Sequence, residues 1–148
     1  MLNQKIFKTL NKNSLSSNSY FNKDHNINLS VDCQFCENYS NISEDIFFWI
    51  YNIKITNKNN KPIKLLNRFW RIIGNNGTIE EYSGDGVIGE QPIINPNKTF
   101  EYSSGVNLIC PSGIMQGHYQ IKGEGQDFYL NIPSFSLDSP FSKNLSLH

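Results

Sequence analysis

Gly84, Gly86 and Gly89 fall at the G-x-G-x-x-G spacing inside Ser83-Gly-Asp-Gly-Val-Ile-Gly-Glu-Gln-Pro92. At that spacing a backbone free of Cβ atoms can come close to a pyrophosphate. Arg68 and Arg71 precede the loop, and Asp85 and Glu90 lie within it. Backbone N–H groups and two guanidinium forks would make an anion site without needing a helix. The two carboxylates oppose an anion on their own. A bridging Mg²⁺ or Co²⁺ reverses that, because hard cations take carboxylate and phosphate oxygens together. On this reading the ligand is pyrophosphate or a polyphosphate-bearing nucleotide, held without turnover. The other reading is that the glycines serve bulges and a tight loop.

A dinucleotide-binding fold needs a helix directly after the glycines, with its N-terminus on the pyrophosphate. Here Glu90-Gln91 runs into Pro92-Ile-Ile-Asn-Pro96. Two prolines around β-branched residues oppose a helix, so the nicotinamide-cofactor reading fails.

Other chemical groups are sparse. Cys33-Gln-Phe-Cys36 has half the spacing of a zinc site, but positions three apart on a strand project to opposite faces. Cys110 is far away in sequence, and zinc normally takes four ligands. Structural, reduced thiols are expected. Of the three histidines only His118 lies in an ordered motif. It falls on the polar side of the alternation Met115, Gly117, Tyr119, Ile121, which makes it a solvent-facing strand residue. No nucleophile elbow, Walker sequence or H-E-x-x-H occurs. A non-enzymatic protein is expected.

The elements that carry these residues are strands. Ile27, Leu29, Val31, Cys33 and Phe35 alternate strictly, as do Phe47, Trp49, Tyr51, Ile53 and Ile55. A third strand runs from about Ile63 to Ile73, and Gly74-Asn-Asn-Gly77 supplies hairpin chemistry. Thr78–Ser83, Thr99–Ser103, Met115–Lys122 and Phe128–Ile132 follow, separated by Gly or Pro. Short strands at such intervals indicate an all-β antiparallel sandwich or small barrel. Trp70 should sit at its centre with Trp49 and Tyr51 facing it. Phe48 and Ile50 point the other way and, if uncovered, form an association surface for another protein or a second copy.

The 148 residues suit one domain. Residues 1–26 form a polar extension read as a flexible tail, and 27–148 form the domain. A net charge of zero and a pI near 6.8 argue against nucleic-acid binding. The longest apolar run, Ile46 to Tyr51, is too short for a membrane span. An odd cysteine count with no apolar leader segment points to the cytoplasm.

Several motifs stand together in one order. They are Arg68-Phe-Trp70, the loop Gly84–Pro92, Ser104-Gly105, Gly113-Ile-Met-Gln-Gly-His-Tyr119 and Ile132-Pro-Ser-Phe135. In order and spacing they resemble the ApaG (CorD) family, from about Ile27 to the C-terminus. Two positions depart: Asn97 stands where the family often has Gly, and Cys110 where Thr is common. Asn enters the left-handed region tolerably, so that turn should survive. The resemblance implies an immunoglobulin- or fibronectin-III-like β-sandwich. It also implies a link to cobalt and magnesium tolerance and, from similar domains in larger proteins, a role as an interaction module. It implies no established reaction.

Overall fold

The computed structural model describes residues 16–142. Nine strands form two antiparallel sheets. One sheet orders β1 (Ser16–Asn22), β2 (Ile27–Phe35), β3 (Phe47–Asn57) and β7 (Thr99–Leu108) as β1-β2-β3-β7. The other orders β5 (Ile79–Asp85), β4 (Ile63–Gly74), β8 (Gly113–Lys122) and β9 (Asp127–Leu137) as β5-β4-β8-β9, with the short β6 (Ile93–Ile94) also paired to β4. The helical pieces of the described residues are 3-10 turns, Glu37–Tyr39 and Ile42–Glu44 among them. This is the expected β-sandwich.

Alternation does the folding work. The odd residues of β2 and β3 point inward and join Trp70, Ile72, Met115, Tyr119, Ile121, Leu130 and Phe135 in one core. Trp70 stands edge-on to Tyr51, Tyr119 and Phe135, with ring centroids 5.3, 6.5 and 6.0 Å away. Offset and edge-on aromatic contacts of this kind add stability beyond the area they bury. Trp49 is anchored by its indole N–H, which donates to the Asp138 carbonyl at 2.7 Å. The Tyr102 and Tyr119 hydroxyls meet at 2.5 Å between the sheets.

Two bulges set which side chains enter this core. In β4 the pairing with β8 shifts between Leu65 and Asn67, making Leu66 an extra residue. Ile63 and Leu65 point inward before it, and Arg68, Trp70 and Ile72 after it. A second shift, between Met115 and Gly117, leaves an extra residue in β9 between Ile132 and Phe135. Pro133, which has no N–H to donate, falls there, so β9 continues to Leu137 past the point where proline suggests an end. Asn97 takes the left-handed conformation expected of it, at φ 63°.

Residues 16–22, which their polar composition assigns to a tail, pair in register with β2 from Ser16↔Cys33 to Asn22↔Ile27. An edge strand is held through backbone hydrogen bonds and shows little of itself in hydrophobic pattern. Residues 23–26 make the turn from β1 into β2, and residues 1–15 lie outside the described residues.

Candidate functional site

The glycine loop closes on itself. Val87 N–H donates to the Glu90 carbonyl at 2.9 Å and Glu90 N–H returns to Val87 at 3.0 Å. The two residues between them, Ile88 and Gly89, have φ of 43° and 83°. Positive φ at both central residues is the pattern of a type I′ hairpin turn. It is natural for glycine and costly for a β-branched residue; Ile88 is held there while packing against the core. Gly86 has φ 58°, and a Cβ on it would lie 2.0 Å from the Glu90 carbonyl oxygen. No other residue fits there.

The loop is also tied to the bulge in β4. Gly86 N–H donates to the Leu66 carbonyl at 2.7 Å, and the Gln91 side-chain amide donates to the same oxygen at 2.9 Å. Arg68 reaches along the inner side, its Nη1 donating to the carbonyls of Asp85 and Gly86 at 3.0 and 2.8 Å. A Cβ on Gly84 would stand 3.1 Å from that guanidinium. Thus Arg68 is a clamp on the loop backbone, and the N–H groups of Gly86, Val87 and Glu90 are already engaged. The tip residues Ile88 and Gly89 stand outside this network.

Arg71 is elsewhere. Residues three apart on a strand face opposite ways, so Arg68 points between the sheets and Arg71 points out from the second sheet. The expectation that both would reach the glycine loop is corrected by strand parity. Asp85 is exposed and faces the Asn67 amide, which in its better-satisfied orientation donates to Oδ1 at 3.0 Å. Glu90 is exposed at the loop end. Among the described residues no three His, Cys, Asp or Glu side chains gather closely enough to hold a metal ion.

The expected association pair also divides. Ile50 is completely buried and Phe48 is half-buried. Residues 36–46 fold back over this end of β3. Cys36 N–H donates to the Phe48 carbonyl at 2.8 Å, Phe48 N–H donates to Ser40 Oγ at 2.9 Å, and the Tyr39 ring lies 5.7 Å from that of Phe48. Ile50 therefore belongs to the interior, not to an interface.

The three cysteines are free and buried. Burial pushes the Cys33 thiol far up, with further upward push from the nearby Cys36, and pushes Cys36 up to about 11. Neither has the character of a nucleophile, which requires a lowered value. Burial also raises the Tyr51 and Tyr102 phenols, partly opposed in both by the charge of Arg68.

The outer face of the second sheet is what sequence reading passed over. Its side chains lie in rows set by the register. Ile79, Ile73 and Ile114 form one row, Glu81, Arg71 and Gln116 the next, and Ser83, Phe69, His118 and Asn131 the third. His118 is stacked on Phe69 with centroids 5.0 Å apart and meets the edge of Tyr129 at 5.2 Å. Tyr129, Ile79 and Ile114 are 65%, 54% and 46% exposed. The signal was available in the alternation that put His118 outward, but the register joining it to Phe69 and Tyr129 is nonlocal.

The geometry is that of an antiparallel β-sandwich domain with a clamped glycine turn at one edge and an aromatic outer face. The ApaG domain profile matches residues 37–123. An ApaG protein of Methylocella silvestris is 46% identical over 120 residues, covering 80% of this chain and 92% of its own. One from Agrobacterium fabrum is 45% identical over 115 residues, covering 77% and 88%. The chain belongs to the ApaG family. The crystal structure of a Bordetella pertussis protein named ApaA superposes with a TM-score of 0.75 at 33% identity, over 79% of this chain and 96% of that one. A second X-ray structure, from structural genomics, gives a TM-score of 0.72 at 35% identity, over 78% and 89%. Neither the family nor the fold indicates catalytic activity. No helix among the described residues is long and apolar enough to cross a membrane.

Proposed function

We propose that this ApaG-family domain is a non-catalytic interaction module that meets a protein partner through the outer face of the β5-β4-β8-β9 sheet. The observation that carries the reading is the aromatic cluster Phe69–His118–Tyr129, with exposed isoleucines on the same sheet face beyond the Arg71 row. Apolar and aromatic side chains grouped on such a face gain free energy when a partner removes them from water. Aromatic anchors of this type dominate binding energy where interfaces have been dissected. A role in cobalt and magnesium tolerance, or in the cytoplasm generally, would then be exerted through the partner. The phosphate reading of the glycine loop is the weaker one, since the N–H groups of Gly86, Val87 and Glu90 and the Arg68 guanidinium are occupied within the chain.

The test places a photo-crosslinking residue at Tyr129 and, separately, at Phe48, in the full chain inside its source cell. A single partner crosslinked from Tyr129 is then purified and its affinity measured. Phe69→Ser and Tyr129→Ser should each weaken it at least about tenfold, as for aromatic hot spots. Crosslinking from Phe48 alone, or unchanged affinity in both variants, overturns the reading.

A further inference from the structure

We infer that Arg71 is an oxyanion-reading residue within that outer face, and that the partner segment it fits is extended and acidic. The inference rests on the interaction-module reading and goes beyond it by naming the chemistry of the occupant. Arg71 sits between the isoleucine row and the Phe69–His118 row. Its Nε is buried and has no hydrogen-bond partner in the structure. The residue as a whole is only partly covered, and its terminal guanidinium nitrogens can meet a carboxylate in two parallel bonds.

The surroundings fit an anion. Arg71 lines a shallow cleft with Phe69, Gln116, His118, Asn131 and Ser134. Ser134 Oγ donates to Gln116 Oε1 at 3.4 Å, which orients the Gln116 amide nitrogen away from it. The lining therefore contains one fixed cation, the amide donors of Gln116 and Asn131 and no carboxylate. Glu81 is the nearest acid by register, across from Arg71 on β5, and it is exposed. Its carboxylate competes with an incoming one for the guanidinium.

The form of the cleft favours a chain over a small molecule. Small ligands are held in concave sites that enclose most of their surface, whereas this is an open sheet face with an isoleucine row on one side of the arginine and the Phe69–His118 row on the other. A strand-like segment with carboxylates alternating with apolar side chains would satisfy both features.

The test is a titration of the full ¹⁵N-labelled chain followed by two-dimensional NMR. The probes are a capped Glu-Phe-Glu-Ile-Glu pentapeptide, its Gln-Phe-Gln-Ile-Gln counterpart, and inorganic phosphate. The acidic peptide should shift backbone signals of Arg71, Gln116, His118 and Asn131, and the neutral peptide should bind at least about tenfold more weakly, the worth of a charge-assisted pair. Arg71→Gln should lose that preference, Arg71→Lys should retain part of it, and Glu81→Gln should strengthen the acidic peptide. Equal binding of the two peptides, no shift with the acidic one, or shifts from phosphate in place of the peptide each overturn the inference. If Arg71→Gln does not fold, the peptide pair and Glu81→Gln decide alone. A partner that still depends on Phe69 and Tyr129 while ignoring Arg71 would sink this inference and leave the module reading standing.

Discussion

Arg68 Nη1 donates to the Gly86 carbonyl at 2.8 Å, so an arginine on the inner side of one strand holds the backbone of a loop eighteen residues later. The second bond, to Asp85, makes the guanidinium a bridge across the turn. Replacing it by Met keeps the aliphatic stem and removes the donors. Arg68→Met should cost about 1–3 kcal/mol, the range for leaving such acceptors unmatched. Urea denaturation measures the loss, and hydrogen exchange should show it concentrated at Val87 and Glu90.

Gly86 is the residue on which the meaning of the loop turns. Gly86→Ala should destabilise by roughly 2–5 kcal/mol, combining the left-handed backbone cost with overpacking against Glu90. Thermal scans of the wild type with pyrophosphate or ATP, each with and without Mg²⁺ or Co²⁺, should show no shift in midpoint. A rise of several degrees on adding pyrophosphate with the cation would restore the anion reading.

Ile50 and Phe48 are separated by burial and should be separated by mutation. Ile50→Ala should cost about 2–5 kcal/mol, as for a large-to-small change in a packed interior. Phe48→Ser, at a half-buried site, should cost less. Similar losses in denaturant midpoint for the two would contradict the difference in their burial.

Alkaline pH should unfold the protein through groups that are buried neutral. Cys33, Cys36, Tyr51 and Tyr102 all have folded pKa values raised by burial above the ordinary ones. The folded state then holds protons that the unfolded chain releases. The stability they contribute is complete below the ordinary values of 9 and 10 and is lost as pH rises beyond them. Each group still protonated only in the fold adds a slope of roughly 1.4 kcal/mol per pH unit. Urea midpoints from pH 8 to 11 should fall, beginning near 9. Cys33→Ser with Cys36→Ser should delay the onset toward the tyrosine range, and a flat profile would count against the burial of these groups.

The local period of two was enough to establish the sandwich, the strand Ile27–Phe35 to its ends, the inward Trp49, Tyr51 and Trp70, and the outward His118. Alternation is a property of neighbouring residues and can be read without knowing what they touch. Turn chemistry was equally local, which is why the left-handed turn at Asn97 was legible, while the glycine loop left two readings open. Three features were set only by tertiary structure. The extra residue at Leu66 reverses the parity of β4, so Ile63 and Leu65 share the inner face with Trp70 and Ile72. Residues 36–46 fold against Phe48, and Ile50, which its own strand leaves facing outward, is buried. The polar strand β1 pairs with β2 through main-chain bonds that any sequence can make. A bulge, a cover and a backbone-paired edge each depend on a partner distant in the chain, and no spacing within one segment encodes that partner's register.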